Sequence, residues 1–300
     1  MRVYSSCLFT LTLTLWSGYS ILANGYERLN DTVEHDVSNP GDGVIGVVQR
    51  RGLLKVGVGL FEPWVMCDTG GELIGYEIDV AKKLASDLGV RIGFAKTDWY
   101  FIIPALIEDN FDLIISGMAI TPARGLLVNF TIPYSEFGTL VLINTDELER
   151  PESLADLNVG DVVFGARAGT VPEQVVRDRF PNATLRLFDS DDEMLSALIE
   201  GDIQAVSADQ IKATGWLNEY SDQLDSPFEL MNKVPEAIAL RKQDFDSLNF
   251  LNGWLEHYTS NGWLADRRHY WFETREWEEL VSEDTELTLQ CEESFTSPFG

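Results

Sequence analysis

The sequence predicts an α/β protein of two lobes, in which each lobe has a mostly parallel sheet flanked by helices and two extended segments act as hinges. One observation is an alternation of strand-like and helix-like segments that begins near residue 54. The alternation starts again after Pro151, which indicates a second lobe. Two apolar segments, 138–144 and 237–241, lead out of the first lobe and back into it. Strands that alternate with helices are typical of parallel sheets covered on both faces.

The first series of elements begins with a strand. Apolar residues at positions 54, 56, 58 and 60 predict it, because successive side chains of a strand point to opposite faces. From Ile78 to Leu88 apolar residues recur at helical spacing, and Gly89 stands where a helix is expected to end. The remaining predicted elements are a strand at 90–94, a helix at 101–108 and a buried strand at 111–116.

The second series repeats this order. Its predicted strands are 162–166, 185–188 and 203–207, and its predicted helices are 172–179, 192–200 and 210–220. A single closing helix is expected from about residue 245 to residue 263, followed from Thr274 by an acidic, weakly patterned tail. These limits assign residues 24–140 and 236–300 to the first lobe and residues 141–235 to the second.

The first 23 residues have the pattern of a cleaved signal peptide. Arg2 is the only charge before an apolar run at 8–22, and small residues surround Ala23. An uncleaved membrane anchor is the alternative, but the run is shorter than the ~20 residues of a membrane span. We therefore expect a periplasmic or secreted protein. Residues 24 to about 50 are polar, with a turn signal at 39–41.

The composition excludes several classes of function. The formal net charge is −27, so the surface repels phosphate backbones and anionic lipid, and we expect no nucleic-acid partner. The segment Gly57-Val58-Gly59 lacks the third glycine of a dinucleotide-binding loop. The three histidines do not have the spacing of a zinc site. The sequence therefore predicts no cofactor, no metal and no catalysis.

One arginine is a candidate for binding a carboxylate. The predicted strand 111–116 ends at Ser116-Gly117, and Arg124 follows a turn at Thr121-Pro122. A guanidinium at the carboxyl end of a strand suits bidentate capture of a carboxylate. The alternative is an ion pair with one of the 49 acidic residues of the chain. The residues alone leave both readings open.

A set of segments in a fixed order carries a family resemblance. The segments include RGLLKVGV, GELIGYEIDVAKKLASDLGV, IIPALIEDNFDLIISGMAITPARGLLVNFTIPY, SLADLNVGDVVFGARAGT, EMLSALIEGDIQAVSAD and LNGWLEHYTSNGWLADRRHYWF. Together, over about residues 52–272, they resemble the family-3 bacterial extracellular solute-binding proteins, the polar amino-acid-binding components of ABC importers. The resemblance implies a type II periplasmic-binding-protein fold, a small amino-acid-like ligand held between the lobes, and an ABC permease as partner. We expect a monomer.

The resemblance also implies roles for individual residues. Arg124 matches the arginine that holds the ligand α-carboxylate, and Gly169-Thr170 matches a helix start that binds the same group. Asp209 matches the acid that takes the α-ammonium, aided by backbone carbonyl groups near Ser116 and Gly117. Phe61 and Trp99 match aromatic positions on either side of the ligand side chain; packing in the core is the alternative for each.

Departures from the family pattern affect the ligand. Ala119 stands where a hydroxyl residue is common, so one hydrogen bond to the head group is missing. Arg167 lies two residues before Gly169, where it could contact the distal end of the ligand, and apolar Val58 occupies a position where other members have acids. These features favour acidic or amide side chains over lysine and arginine. The alternative for Arg167 is a salt bridge between the lobes.

Three further expectations remain. A cyclohexadienyl dehydratase on the same fold is an alternative function, with Glu173 as its candidate acid, and a sensory module is another. Three cysteines cannot form a disulfide scaffold. Since Cys7 lies in the predicted signal peptide, a bridge between Cys67 and Cys291 would tie the tail to the first lobe; two unpaired thiols are the alternative.

Overall fold

The computed structural model describes residues 43–274 and 276–281 of the chain. The predicted signal peptide, with Cys7, lies outside these residues, and so does Cys291. Within the described part, no helix is both long enough and apolar enough to cross a bilayer. The same residues contain no cluster of histidine, cysteine or acidic side chains suited to a metal ion.

The first lobe contains a sheet of five strands in the order β4 (Arg91–Lys96), β1 (Leu53–Val58), β5 (Leu113–Ile114), β13 (Ala239–Leu240) and β6 (Asn129–Phe130). Strand β1 pairs in parallel with both β4 and β5, as the alternation of strands and helices predicts. The elements before the crossing into the second lobe are α1 (Gly43–Arg51), β1 (Leu53–Val58), β2 (Met66–Cys67), β3 (Leu73–Ile74), α2 (Tyr76–Leu88), β4 (Arg91–Lys96), a 3-10 turn (Trp99–Phe101), α3 (Ile102–Ile107), β5 (Leu113–Ile114), α4 (Pro122–Leu127) and β6 (Asn129–Phe130).

The second lobe contains a sheet in the order β11 (Leu224–Asp225), β7 (Ser135–Asn144), β10 (Ala205–Asp209), β8 (Val163–Arg167) and β9 (Thr184–Phe188), with β12 (Asn232–Glu236) paired to β7. Strand β8 is parallel to both β9 and β10, whereas β7 runs antiparallel to β10. The elements are β7 (Ser135–Asn144), α5 (Leu154–Leu157), β8 (Val163–Arg167), α6 (Val171–Arg179), β9 (Thr184–Phe188), α7 (Asp191–Ile199), β10 (Ala205–Asp209), α8 (Gln210–Glu219), β11 (Leu224–Asp225) and β12 (Asn232–Glu236). The fold is the two-lobed type II arrangement that the resemblance implies.

The chain then returns to the first lobe through β13 (Ala239–Leu240). The closing helix, predicted as one, is two helices: α9 (Phe245–Ser260) and α10 (Trp263–His269). Gly262 separates them with φ of 85°, a left-handed conformation that glycine adopts without strain. A π turn (Tyr270–Thr274) and a 3-10 turn (Glu276–Leu280) follow.

Strands β7 and β12 form the ribbon that connects the lobes. They are antiparallel over five residue pairs, from Ser135 opposite Glu236 to Thr139 opposite Asn232. The end of β12 is also tied to the first lobe, because the Ile120 N–H donates to the carbonyl of Pro235 at 2.8 Å. The expected lobe boundary, after residue 140, falls inside β7, all of which belongs to the second sheet.

The regularly spaced apolar residues of helix α2 form its buried face. Its residues at the predicted spacing are all buried: Ile78, Ala81, Leu84, Ala85 and Leu88. The helix ends at Gly89, whose φ is 69° and whose N–H bonds to the last turn. Full burial of a leucine or isoleucine side chain stabilises the fold by about 1.5–3 kcal/mol. The predicted helix and its predicted end are both present.

Helix α1 was not expected, since residues 24 to about 50 were interpreted as polar linker. Val44, Ile45 and Val48 are buried in the core of the first lobe. The first turn of α1 is capped from a distant helix: Asp244 accepts from the N–H of Val44 at 2.7 Å, and Ser247 accepts from that of Ile45 at 3.1 Å. This capping is tertiary, so no local pattern near residue 43 announces it.

Candidate functional site

A cavity of about 560 Å³, part of it open to solvent, has walls from both lobes. Eight of the ten residues predicted to bind the ligand line it: Phe61, Trp99, Gly117, Ala119, Arg124, Arg167, Thr170 and Asp209. Ser116 and Gly169 are not on its wall. The cavity is also lined by eight residues that the sequence analysis did not single out: Phe137, Val171, Pro172, Asp191, Met194, Ser207, Ala208 and Glu236.

Arg124 is held on α4 with its guanidinium facing the second lobe. Thr121 caps the helix by accepting from the Arg124 N–H at 3.2 Å. The guanidinium donates from Nη1 to the carbonyl of Ala119 and from Nη2 to the carbonyl of Gly169, both at 3.0 Å. Burial lowers the pKa of Arg124 to about 10. Among the described residues it has no carboxylate partner, so no ion pair compensates its charge within this part of the chain.

The start of α6 lies opposite Arg124. Thr170 caps this helix by accepting from the N–H of Glu173 at 3.4 Å, and its hydroxyl donates to the carbonyl of Arg167 at 2.6 Å. Gly169 has φ of 73°. Its N–H donates to Glu173 at 2.7 Å, so this amide is already engaged. Gly169 contributes its carbonyl to the contact between the lobes, and Thr170 forms the wall.

Asp209 ends strand β10 and is 6% exposed. Its Oδ1 accepts from the N–H of Ile211 at 2.7 Å, whereas its buried Oδ2 has no hydrogen-bond partner among the described residues. Burial raises the pKa of Asp209 well above its ordinary value, and the charges of Glu236 and Asp191 raise it further. A buried acceptor without a partner is costly, by about 1–3 kcal/mol, so an ammonium group here would be bound strongly.

The two predicted aromatic residues both form part of the wall. Phe61 stacks on Trp64 with ring centroids 4.6 Å apart. Trp99 donates from Nε1 to the carbonyl of Gly169 at 3.3 Å, and the Arg124 guanidinium lies 5.6 Å from its ring centroid. The ring faces of Phe61 and Trp99 that these contacts leave uncovered can touch a ligand side chain. Each ring therefore both packs against its neighbours and lines the cavity.

The segment after β5 supports the site. Ser116 lies behind the wall, where its hydroxyl accepts from the N–H of Gly59 at 3.0 Å and ties the ends of β5 and β1 together. Gly117 has φ of 63°, and a Cβ there would lie 2.8 Å from the Trp64 ring. Glycine is therefore required by both conformation and space.

Arg167 lines the cavity but is not free. Its Nη1 donates to Asp191 Oδ2 at 3.2 Å, and its Nη2 donates to the carbonyl of Leu60 in the first lobe at 3.2 Å. Its charge is thus compensated within the second lobe, while one N–H links the lobes. Val58 is fully buried in the core of the first lobe and does not line the cavity. The expectation of an acidic or amide ligand side chain therefore loses the support of Val58, whereas the Nε of Arg167 is buried and has no hydrogen-bond partner among the described residues.

Two acidic residues of the wall were missed by sequence reasoning. Asp191 begins α7 directly after its Ser190 cap, so it has the pattern of an ordinary first-turn acid. Glu236 precedes the predicted hinge segment and is 1% exposed. Its Oε2 accepts from Trp64 Nε1 at 3.2 Å, and burial raises its pKa to about 7. Only the tertiary fold brings these carboxylates to the cavity.

Glu173, the candidate acid of a dehydratase, is not on the wall. Besides accepting from Gly169, it forms an ion pair with Arg177 at 2.7 Å. Both interactions hold its carboxylate along α6.

Sequence comparison gives curated relatives with transport-related names. The L-cystine-binding protein TcyJ of Escherichia coli is 27% identical over 232 residues, which cover 77% of this chain and 86% of the relative. The ABC transporter arginine-binding protein 1 of Escherichia coli is 28% identical over 71% of this chain and 87% of its own.

A solved structure with the same fold is the ancestral amino acid-binding protein AncCDT-1, described as a precursor of cyclohexadienyl dehydratase. It is 32% identical and superposes with a TM-score of 0.69, covering 77% of this chain and all of its own. The profile of the bacterial extracellular solute-binding proteins, family 3, matches residues 54–274. That match spans both lobes, the connecting ribbon and the cavity, and the chain therefore belongs to this family.

Proposed function

We propose that this protein captures an amino acid between its two lobes and delivers it to an ABC permease, without catalysing a reaction. The observation that supports this most is the pair Arg124 and Asp209. Arg124 of the first lobe is half-buried and has no carboxylate partner among the described residues. Asp209 of the second lobe is buried, and its Oδ2 has no hydrogen-bond partner among them. Both residues line the same cavity. An α-carboxylate at Arg124 and an α-ammonium at Asp209 would satisfy both.

Contacts between the lobes describe how capture would work. Lys212 of α8 pairs with Glu62 of the first lobe at 2.9 Å, and Arg124 and Trp99 both donate to the carbonyl of Gly169. A ligand that binds both lobes adds to these links and shifts the equilibrium toward the closed state. A permease that recognises the closed state would then bind the protein together with its ligand.

Relatives support the transport role, because their names associate them with amino-acid binding and ABC transport. The proposal places the protein outside the cytoplasm, as its family description states for members generally. Glu173 has its hydrogen-bonding capacity occupied by Gly169 and Arg177, which disfavours its use as a general acid.

The proposal is tested by a thermal-shift screen of the purified protein against the standard amino acids, followed by calorimetry. Ligand at 100 times its Kd should add ~2.7 kcal/mol to the free energy of unfolding. Prephenate and arogenate are included, with product formation measured. If no amino acid raises the melting temperature, or if either compound is turned over, the proposal is wrong.

A further inference from the structure

The cavity wall carries more acidic than basic groups. Its carboxylates are Asp191, Asp209 and Glu236, and its cationic side chains are Arg124 and Arg167. Arg167 and Asp191 compensate each other through their ion pair. An α-amino acid head group would satisfy Arg124 and Asp209 and is itself neutral. One carboxylate, that of Glu236, then remains without a cationic partner on the wall.

Glu236 is fixed close to the ligand space. Its backbone forms a bridge with Ala119, and the N–H of Tyr134 donates to its carbonyl at 3.1 Å. Its Oε1 lies beside Gly117, where a Cβ would be only 3.1 Å away. Because Gly117 has no side chain, nothing at this position covers the Glu236 carboxylate, and Gly117 itself lines the cavity.

The groups behind Glu236 do not compensate its charge fully. Trp64 and Ser135 are its hydrogen-bond partners, and Arg268 acts from farther away, donating to Ser135 Oγ at 2.8 Å. The buried carboxyl of Glu77 adds repulsion between the two acids. Although three of these neighbours favour the ionised form, burial still keeps the pKa of Glu236 at about 7. A further cation would stabilise the carboxylate.

We propose that the ligand carries a second cationic group besides its α-ammonium group, and that Glu236 is the residue that accepts it. The inference deepens the proposed function and rests on it. A dibasic α-amino acid such as lysine or arginine balances the charges of the cavity, whereas a neutral or acidic amino acid leaves an uncompensated buried carboxylate, which is costly.

The test uses pairs of probes that differ only in this charge. Calorimetry compares L-lysine with L-norleucine and L-arginine with L-citrulline, and L-glutamate is included. We expect the cationic member to bind about 30-fold more tightly or better, since a buried charge pair is worth about 2 kcal/mol or more. Glu236→Gln should reduce this ratio to roughly 3-fold or less by weakening the cationic member alone. Glu236→Asp, which keeps the charge, should retain part of the preference and covers the case in which the Gln variant does not fold.

Asp112→Asn is the matched control. It makes the same acid-to-amide change in a buried residue that does not line the cavity and is not among the groups that act on Glu236, and it should leave the ratio unchanged. Equal binding within the wild-type pairs overturns the inference, and so does a ratio that survives in Glu236→Gln. If neutral amino acids bind as tightly as cationic ones and still require Arg124, the proposed function stands and this inference fails. If no amino acid binds at all, both fail.

Discussion

The Nη2 of Arg124 lies 3.0 Å from the carbonyl oxygen of Gly169, so a side chain of the first lobe contacts the backbone of the second. One guanidinium thus links the two lobes, and in the proposed function it also binds the carboxylate of the ligand. Removing it should affect both ligand affinity and closure.

The substitution Arg124→Ala should abolish measurable binding of every amino acid that the wild-type protein binds. The reason is that a desolvated carboxylate would lose its charge-assisted hydrogen bonds, at a cost of several kcal/mol. Calorimetry measures the loss. Arg150→Ala is the control, because Arg150 is 62% exposed and does not line the cavity. Unchanged affinity in Arg124→Ala would mean that the site is assigned wrongly.

The substitution Asp209→Asn should weaken amino acids far more than their des-amino analogues. The unpaired Oδ2 is placed to accept from an ammonium group, and the amide that replaces it carries no charge. Affinities of an amino acid and its des-amino analogue, measured with both proteins, form a double-mutant-style cycle. A coupling near zero would show that the ammonium group is bound elsewhere.

The stability of the ligand-free protein should fall as the pH rises from about 5 to about 8. Burial raises the pKa of Glu77 to about 8 and that of Glu236 to about 7, from the ordinary glutamate value of 4.5. Between the ordinary and the raised pKa, the folded state therefore binds more protons than the unfolded state. In that range each of the two carboxyl groups lowers the free energy of unfolding by up to about 1.4 kcal/mol per pH unit. Chemical unfolding at several pH values measures the slope.

Glu77→Gln should flatten that slope, because glutamine resembles the protonated acid and does not titrate. The hydroxyl of Tyr134 lies 2.5 Å from Glu77 Oε2, and an amide oxygen can still accept from it. A slope that is the same in both proteins would contradict the assigned cause.

Peptide mapping under non-reducing conditions should recover Cys67 joined to Cys291. In the structure Cys67 is disulfide-bonded, and its partner lies outside the described residues. The C-terminal segment returns to this region, because the Thr69 N–H donates to the carbonyl of Leu280 at 2.9 Å and Trp277 is buried. On the chain-entropy model, a bridge that closes the long loop from Cys67 to Cys291 would stabilise the folded protein by ~5 kcal/mol. Recovery of Cys291 as a free thiol from secreted protein would exclude the bridge.

The sequence predicted most of the strands and helices, because their signals are local. Apolar spacing identified α2, and the glycine at position 89 identified its end. Helix α1 was missed since its caps, Asp244 and Ser247, come from the other end of the chain.

The site was predicted to the extent that the family resemblance reaches it. Arg124 and Asp209 lie in matching motifs and line the cavity. Glu236 and Asp191 were not found, because neither the hinge nor a helix start has a pattern that tells whether a side chain faces a cavity. Arg167 was found, but its pairing with Asp191 depends on the end of β8 and the start of α7, which only the fold brings together.

The ribbon of β7 and β12 has a consequence for the order of events in capture. Its end at Glu236 is fastened to the first lobe, through Ala119 and through the Ala237 N–H, which donates to Met118. If the lobes separate at this ribbon, we expect Arg124 and Glu236 to stay together on the first lobe while Asp209 moves away. A solute that reaches the open protein would then meet these two residues at a fixed separation. Closure of the second lobe would determine how long that solute stays bound.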